Sequence, residues 1–332
     1  FKRTIVFRVA LADLSGRLPL MQVSDRLTEL AELILQHAMQ LGWQQMSAQL
    51  GAPCCTDVQG QRREVRIAAL AYGKLGGHEL GYGSDLDLIF LHDSVGAKQE
   101  TDAASPIDNQ IFFLRYAQRV IHLLTMHSAA GRLYEVDVRL RPSGKGGMLV
   151  TSIESFRRYQ FEDAWTWEHQ ALLHARAVAG DADLMRRIDA TRSDVLQHAV
   201  RRADLQQRVR EMRERMRLEL SAAIPGQFDL KQDRGGIADI EFLAQYWALR
   251  WAVEYPPVVH FSDTIRQLES VASAALVPQE TVDQLAQAYR HYRGLAHRRS
   301  LESLPAVVAD DQCRAERETV AAIWRATMDE PV

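Results

Sequence analysis

The chain has 332 residues, with 40 lysines and arginines against 43 aspartates and glutamates and a formal net charge of −3. That balance leaves no global basic field for holding a nucleic-acid backbone, and no apolar run approaches the ~20 residues of a membrane span. Three cysteines (Cys54, Cys55 and Cys313) form neither a CxxC nor an even disulfide framework, which reads as a reducing cytoplasm.

The length suffices for one large or two modest cores. Beginning at Phe1 without a signal-peptide pattern, the chain reads as a piece of a longer protein. Ser24 can cap a helix running to about Leu50, with Leu27, Leu30, Ala31, Ile34 and Ala38 at helical spacing and Gly51 as its stop. Residues 52–63 read as a loop leading into two core strands.

The first of these strands, Ile67 to Ala71, feeds a glycine-punctuated turn; the second carries Asp85-Leu86-Asp87-Leu88. In a strand, Asp85 and Asp87 share one face, with Cα atoms about 6.6 Å apart. Two carboxylates so placed can converge on one or two hard cations, which in phosphate chemistry usually means Mg²⁺. Gly81, Gly83 and Ser84 come just before, where backbone amides can approach phosphate oxygens. A solvated strand end would equally account for two aspartates near a glycine turn.

Ser105-Pro106-Ile107-Asp108 resembles a capped helix start, with Phe113, Ala117, Val120, Ile121 and Leu124 as the apolar stripe behind the sheet. Residues Arg132 to Pro142 then alternate as a strand: Val136, Val138 and Leu140 on one face, Glu135, Asp137, Arg139 and Arg141 on the other. The alternating pattern suits Asp137 as a third metal ligand, with Arg139 and Arg141 meeting a polyphosphate. A cross-strand ladder of salt bridges is the simpler alternative. The loop Pro142 to Gly147 either covers a triphosphate through its glycines and Lys145 or merely connects, and Met148 to Val150 reads as a short strand.

From about Ser152 helical periodicity dominates. Ala203 to Ala223 is rich in arginine and glutamate, as a solvated face would be. Phe228 to Lys231 reads as a strand, and a helix from Ile237 to Ala252 buries Ile240, Leu243, Ala244, Trp247, Ala248 and Trp251, with Asp239 favoured near its start. Helices from Ser262 and from Pro278 to Arg299 complete a bundle. Eleven histidines show no zinc spacing, and His169 reads as packed or capping.

The glycine turn, Asp-x-Asp and distant third aspartate resemble the polymerase-β-type nucleotidyltransferase superfamily. The longer blocks GKLGGHELGYGSDLDLIFLHD, YEVDVRLRPSGKGGMLV, AWTWEHQALLHARAVAGD and FDLKQDRGGIADIEF resemble the glutamine synthetase adenylyltransferase family, from near the first residue to Trp324. Lys74 stands where the superfamily usually has serine, while the narrower family expects GKLGG.

The resemblance implies an α+β fold: a polymerase-β-like nucleotidyltransferase core in residues 1–160, followed by a helical bundle in 161–332. It implies transfer of AMP from ATP to a tyrosine of glutamine synthetase, with Asp85, Asp87 and Asp137 holding Mg²⁺ and Gly73, Lys74, Gly83, Ser84, Arg139, Arg141 and Lys145 around the nucleotide. GYGSDLDL and RPSGKGGM resemble the adenylyl-adding half of that family rather than its phosphorolytic, adenylyl-removing half. The implied partners are glutamine synthetase, the PII signalling protein and the deadenylylase half of a longer chain, with no nucleic acid and no membrane. Lys231, Asp239 and Glu241 lie near the nucleotide or acceptor, or serve packing and capping. Two other readings stand: the phosphorolytic deadenylylase half, and a regulatory module with a vestigial nucleotide site that binds glutamine synthetase or PII.

Overall fold

The computed structural model describes residues 1–128, 131–221 and 224–329, and not the side chain of Lys145. The fold is α+β. Helices α1 (Lys2–Leu14) and α2 (Leu20–Leu50) open it, and Gly51, at φ +79°, ends α2 as the sequence suggests. The helix begins one turn before Ser24. Ser24 is therefore no cap: it is fully buried within α2, and its hydroxyl accepts from Arg293 Nη2 at 2.8 Å.

Residues 52–63, expected as a loop, instead form most of a hairpin of β1 (Pro53–Thr56) and β2 (Arg62–Glu64), turned by an Asp57 carboxylate that accepts from Gln59 N and Gln61 N. Strands β3 (Ile67–Ala71) and β4 (Leu86–His92) pair antiparallel around the one-turn helix α3 (Gly73–Gly76). Both are apolar almost without interruption because both faces are covered; Ala68 to Ala71 and Leu88 to Leu91 are buried. Strand β5 (Ala97–Thr101) joins β1 in the smaller sheet.

Helix α4 (Asn109–Thr125) is capped by Asp108, whose carboxylate accepts from Gln110 N at 2.7 Å. The cap is thus three residues later than Ser105. Of the expected stripe, Phe113, Ala117, Val120 and Leu124 are buried and Ile121 is half-buried, while Phe112 and Tyr116 join the buried face. The extended reading of 132–142 survives only as β6 (Val136–Asp137), parallel to β4 with Asp87 opposite Asp137. It stops there because the Arg139 backbone N–H turns back to donate to Asp137 Oδ1 at 2.8 Å, an aspartate turn that competes with the ladder. Strand β7 (Val150–Ser152) also pairs parallel with β4 and leads into α5 (Ile153–Glu162), capped by Ser152.

Beyond residue 160 come α6 (Thr166–Leu173), β8 (Arg176–Gly180) and α7 (Ala182–His198). Strand β8, within a stretch read as helical, pairs antiparallel with β3 and completes a mixed sheet in the order β6-β4-β3-β8, with β7 also on β4. One unit of the protein comprises Phe1–Ile5, Arg26–Ala164 and His174–Val195; the other comprises Val6–Asp25, Trp165–Leu173 and Leu196–Val332. His174–Val195 belongs to the first unit because β8 pairs with β3.

The second unit contains α8 (Leu205–Leu220), β9 (Gln227–Asp229), α9 (Ile237–Trp251), α10 (Thr264–Ser273), α11 (Gln279–Leu301), β10 (Val307–Ala309) and α12 (Arg314–Met328), with β9 and β10 paired antiparallel. Helix α9 is apolar on nearly every side and almost wholly buried, and α8, α10, α11 and α12 all pack against it. Among the described residues, no helix is long and apolar enough to cross a membrane.

Candidate active site

The site lies where β4 begins. Its neighbour β3 ends at Ala71, and Tyr72 N donates to Asp87 O at 2.9 Å, pinning the entry to the glycine turn against the strand carrying the acid. Gly73 follows at φ +54°, a left-handed conformation that costs an L side chain about 1–2 kcal/mol. Close approach adds a second requirement: a Cβ on Gly73 would stand 2.8 Å from Asp87 Oδ2. Gly76, one turn on, has no room either, since its Cβ would meet His174 O at 2.1 Å and Ala71 O at 2.6 Å.

Arg176 of β8 braces the same turn, donating to Leu75 O at 3.4 Å and pairing with Glu32 of α2. Sequence reasoning missed this brace because β8 carries no strand pattern, and nothing local marks Arg176 as different from the many other arginines.

Gly81 to Ser84 form the second turn. Ser84 Oγ accepts from Gly81 N at 3.1 Å, and Gly83 adopts φ +73° with open space where a Cβ would project. Backbone here can therefore approach a ligand closely. Lys74 is exposed on α3.

Asp85, Asp87 and Asp137 converge: each offers a carboxylate oxygen, and these oxygens all lie within 4.8 Å of one another. Parallel pairing of β4 with β6 does this by placing Asp137 beside Asp87, and Leu86 N, donating to Glu135 O at 2.9 Å, fixes the register. Asp85 is exposed, while Asp87 and Asp137 are half-buried. Carboxylates this close repel unless a cation lies among them. Oxygen-only donors at this spacing fit a hard divalent ion such as Mg²⁺.

Arg139 offsets part of that charge. Its Nε donates to Asp137 Oδ2 at 2.7 Å and its Nη2 pairs with the same oxygen. The hydrogen bond to Asp137 and, more weakly, the fields of Asp87 and Asp85 raise the Arg139 pKa above its ordinary value. Its side chain remains largely exposed, so it is a surface neighbour of the triad rather than a buried partner. Arg141 turns elsewhere, donating through Nε to Gly147 O at 3.0 Å and through Nη1 to Val138 O at 2.7 Å. Those bonds clamp the loop that follows β6, where Ser143 and Gly144 both take positive φ. Lys145 lies in that loop, its side chain outside the described residues.

His169 is buried on α6, as a packed residue would be. Asp239 sits in the second unit, where Oδ1 accepts from Arg213 Nε at 2.7 Å and Oδ2 from Gly235 N at 2.7 Å.

A sequence profile of glutamate-ammonia ligase adenylyltransferase matches residues 1–191. The chain belongs to the glutamate-ammonia ligase adenylyltransferase family. All three aspartates and both glycine turns fall inside that match. A profile of GlnD PII-uridylyltransferase matches residues 203–302. The chain is similar to the bifunctional glutamine synthetase adenylyltransferase/adenylyl-removing enzymes of Thioalkalivibrio sulfidiphilus, 48% identical over 99% of this chain and 34% of that protein, and of Hahella chejuensis, 47% identical over 98% and 34%. The corresponding enzyme of Pseudomonas syringae pv. tomato is 46% identical over 98% of this chain and 34% of its own length. The chain thus spans about a third of the curated relatives that it matches.

Proposed function

We propose that the chain is the adenylyl-adding part of a glutamine synthetase adenylyltransferase, moving AMP from ATP to a tyrosine hydroxyl of glutamine synthetase with release of pyrophosphate, and so lowering synthetase activity in nitrogen control. The observation that carries this is the convergence of Asp85, Asp87 and Asp137 beside a glycine turn. The sheet and its covering helices are read as a polymerase-β-type nucleotidyltransferase core, and the helices of the second unit as its C-terminal bundle. The protein so read is cytoplasmic, with glutamine synthetase, the PII signalling protein and a deadenylylase half of the longer chain as partners.

Asp85, Asp87 and Asp137 are proposed to hold Mg²⁺, which when bound supplies the positive charge that polarises the phosphates and eases ionisation of the attacking hydroxyl. The amides around Gly83, with Ser84, receive the β- and γ-phosphates in the open space beside the turn. Lys74, exposed beside Gly73, adds a point charge at the triphosphate. Arg139 exchanges its contact with Asp137 for a phosphate oxygen, an exchange its exposure allows. Arg141 holds the covering loop in place through its two carbonyl contacts, leaving Lys145 to approach the phosphates. Asp137 accepts the tyrosine proton as the oxygen attacks the α-phosphorus. The P–O bond to pyrophosphate breaks, and the new phosphodiester links AMP to the tyrosine.

Mass spectrometry of glutamine synthetase after incubation with this chain and Mg-ATP tests the proposal. One added AMP per subunit, on tyrosine, is the expected result. Loss of AMP from an adenylylated synthetase in the presence of phosphate, with no addition from ATP, would instead identify the removing half. Absence of Mg-ATP binding in calorimetry would leave a regulatory module.

A further inference from the structure

A second cleft, of about 710 Å³, lies wholly within the second unit, walled by α8 and α12 and floored by Asp239 of α9. Among the described residues, six arginines and four carboxylates line it, an excess of two positive charges. Three of those carboxylates are satisfied by neighbours: Asp239 by Arg213, Glu214 by Arg217 and Arg234, and Asp329 by Arg210 at 3.9 Å. The fourth, Glu211, accepts from Gln207 Nε2 at 2.8 Å. Arg215 and Arg325 are exposed and make no ion pair among the described residues.

The decisive group is Arg213. Its side chain is only 3% exposed, its Nε is committed to Asp239, and its Nη2 donates to Gln232 O at 2.7 Å. Nη1 is fully buried and has no acceptor among the described residues. Buried guanidinium donors are ordinarily satisfied, so this one points to an acceptor beyond the described residues. A single water would answer one N–H, but it would leave the excess charge of Arg215 and Arg325 untouched. Trp324 gives the same cleft a flat apolar wall, which a bare ion would not use.

We propose that this cleft binds a small phosphate monoester, its dianionic head taken by Arg213, Arg215 and Arg325 and its organic part resting on Trp324. Two excess positive charges match a phosphate dianion, and guanidinium forks match its tetrahedral oxygens better than an ammonium would. Its lining shares no residue with the aspartate triad, and the binding proposed here requires no divalent ion.

Calorimetric titration of the 332-residue chain with phenyl phosphate, in EDTA and low salt, tests it. Saturable one-to-one binding is expected, weakened at least about tenfold by the double variant Arg215→Gln/Arg325→Gln and unchanged by Asp87→Asn. Both substituted arginines are exposed, so the double variant keeps the fold even where Arg213→Met, which strands Asp239, does not. Inorganic phosphate is expected to bind more weakly than phenyl phosphate, and Trp324→Ala to bring the two level. Lack of saturation, indifference to the double variant, or equally tight binding of succinate would each overturn the assignment, the last by showing a site for dicarboxylates.

Discussion

Gly73 and Asp87 meet at the mouth of the candidate site, with only 2.8 Å between Asp87 Oδ2 and the place where a Cβ on Gly73 would stand. The turn and the acid therefore constrain each other: Gly73 can follow β3 at φ +54° only without a side chain, and Asp87 can point at Asp85 and Asp137 only while Gly73 stays bare.

Gly73→Ala should accordingly damage function more than stability. The left-handed backbone costs about 1–2 kcal/mol, a modest fall in thermal stability. Displacing Asp87 by even about 1 Å is expected to lower AMP transfer roughly a hundredfold. Comparing melting temperature with transfer rate checks this, and a variant with full activity would show that Asp87 need not hold its present position.

Asp85→Asn and Asp87→Asn are each expected to reduce transfer at least about a hundredfold. In the absence of metal their stability should equal or slightly exceed that of the unsubstituted chain, because one of three mutually repelling charges is gone. Adding Mg²⁺ should then raise the melting temperature of the unsubstituted chain but not of the variants, since only a folded site with its full set of ligands gains from binding. Equal metal stabilisation of all three proteins would remove Asp85 and Asp87 from the site.

The central strand and its acids were legible because a continuous apolar run interrupted by charge only at Asp85 and Asp87 suits a strand covered on both faces, whose acids sit where the cover ends. The third acid was legible for a partly mistaken reason. Alternation from Glu135 to Arg141 suggested a long strand, yet only Val136 and Asp137 pair, because Asp137 binds the Arg139 backbone N–H and turns the chain. Arg139 therefore reaches Asp137 through a turn rather than along a strand face. Strand β8 was not legible because a five-residue alanine-rich segment between helices carries no period of its own; what makes it a strand is the free edge of β3. Ser24 looked like a cap because serine before an apolar stripe usually is one, but its hydroxyl answers Arg293, a partner 269 residues away that no local pattern reveals.

His92 supplies a prediction of pH dependence. It ends β4 in the core, stacked on Phe113 with ring centroids 4.7 Å apart, and its Nδ1 accepts from Ser94 N at 3.0 Å. Burial lowers its pKa to about 4 from 6.5, against a smaller opposing pull from Asp93. The unfolded chain therefore takes up this proton first, so the neutral ring's contribution is complete above pH 6.5 and is lost as pH falls from 6.5 to about 4. The full loss is about 3 kcal/mol. Carboxylates titrate in part of the same range, so the measurement is a difference: urea midpoints of the unsubstituted chain and of His92→Gln at several pH values. Between about pH 6 and pH 4.5 the unsubstituted chain should lose more stability per pH unit, by a slope of about one proton. Parallel curves would mean that His92 is protonated in the folded protein.

Asp239 offers a separate test of what the second unit does with its charges. The carboxylate and Arg213 are both buried, with side-chain exposures of 6% and 3%, and the Gly235 amide completes the carboxylate's bonding. Burial raises the Asp239 pKa, while Arg213 and the amide pull it back toward the charged form. Asp239→Asn keeps the shape but leaves the Arg213 charge buried without its counter-ion, at an expected cost of about 3–5 kcal/mol in unfolding free energy. Replacing both members, as Arg213→Met/Asp239→Leu, should recover much of that loss, since a buried pair exchanged for apolar groups of similar volume is often close to neutral. Denaturant unfolding of the single and double variants measures both quantities. A double variant no better than Asp239→Asn would show that the guanidinium contributes to the unit beyond its pairing with Asp239, through its bond to Gln232 O or through its place in the cleft.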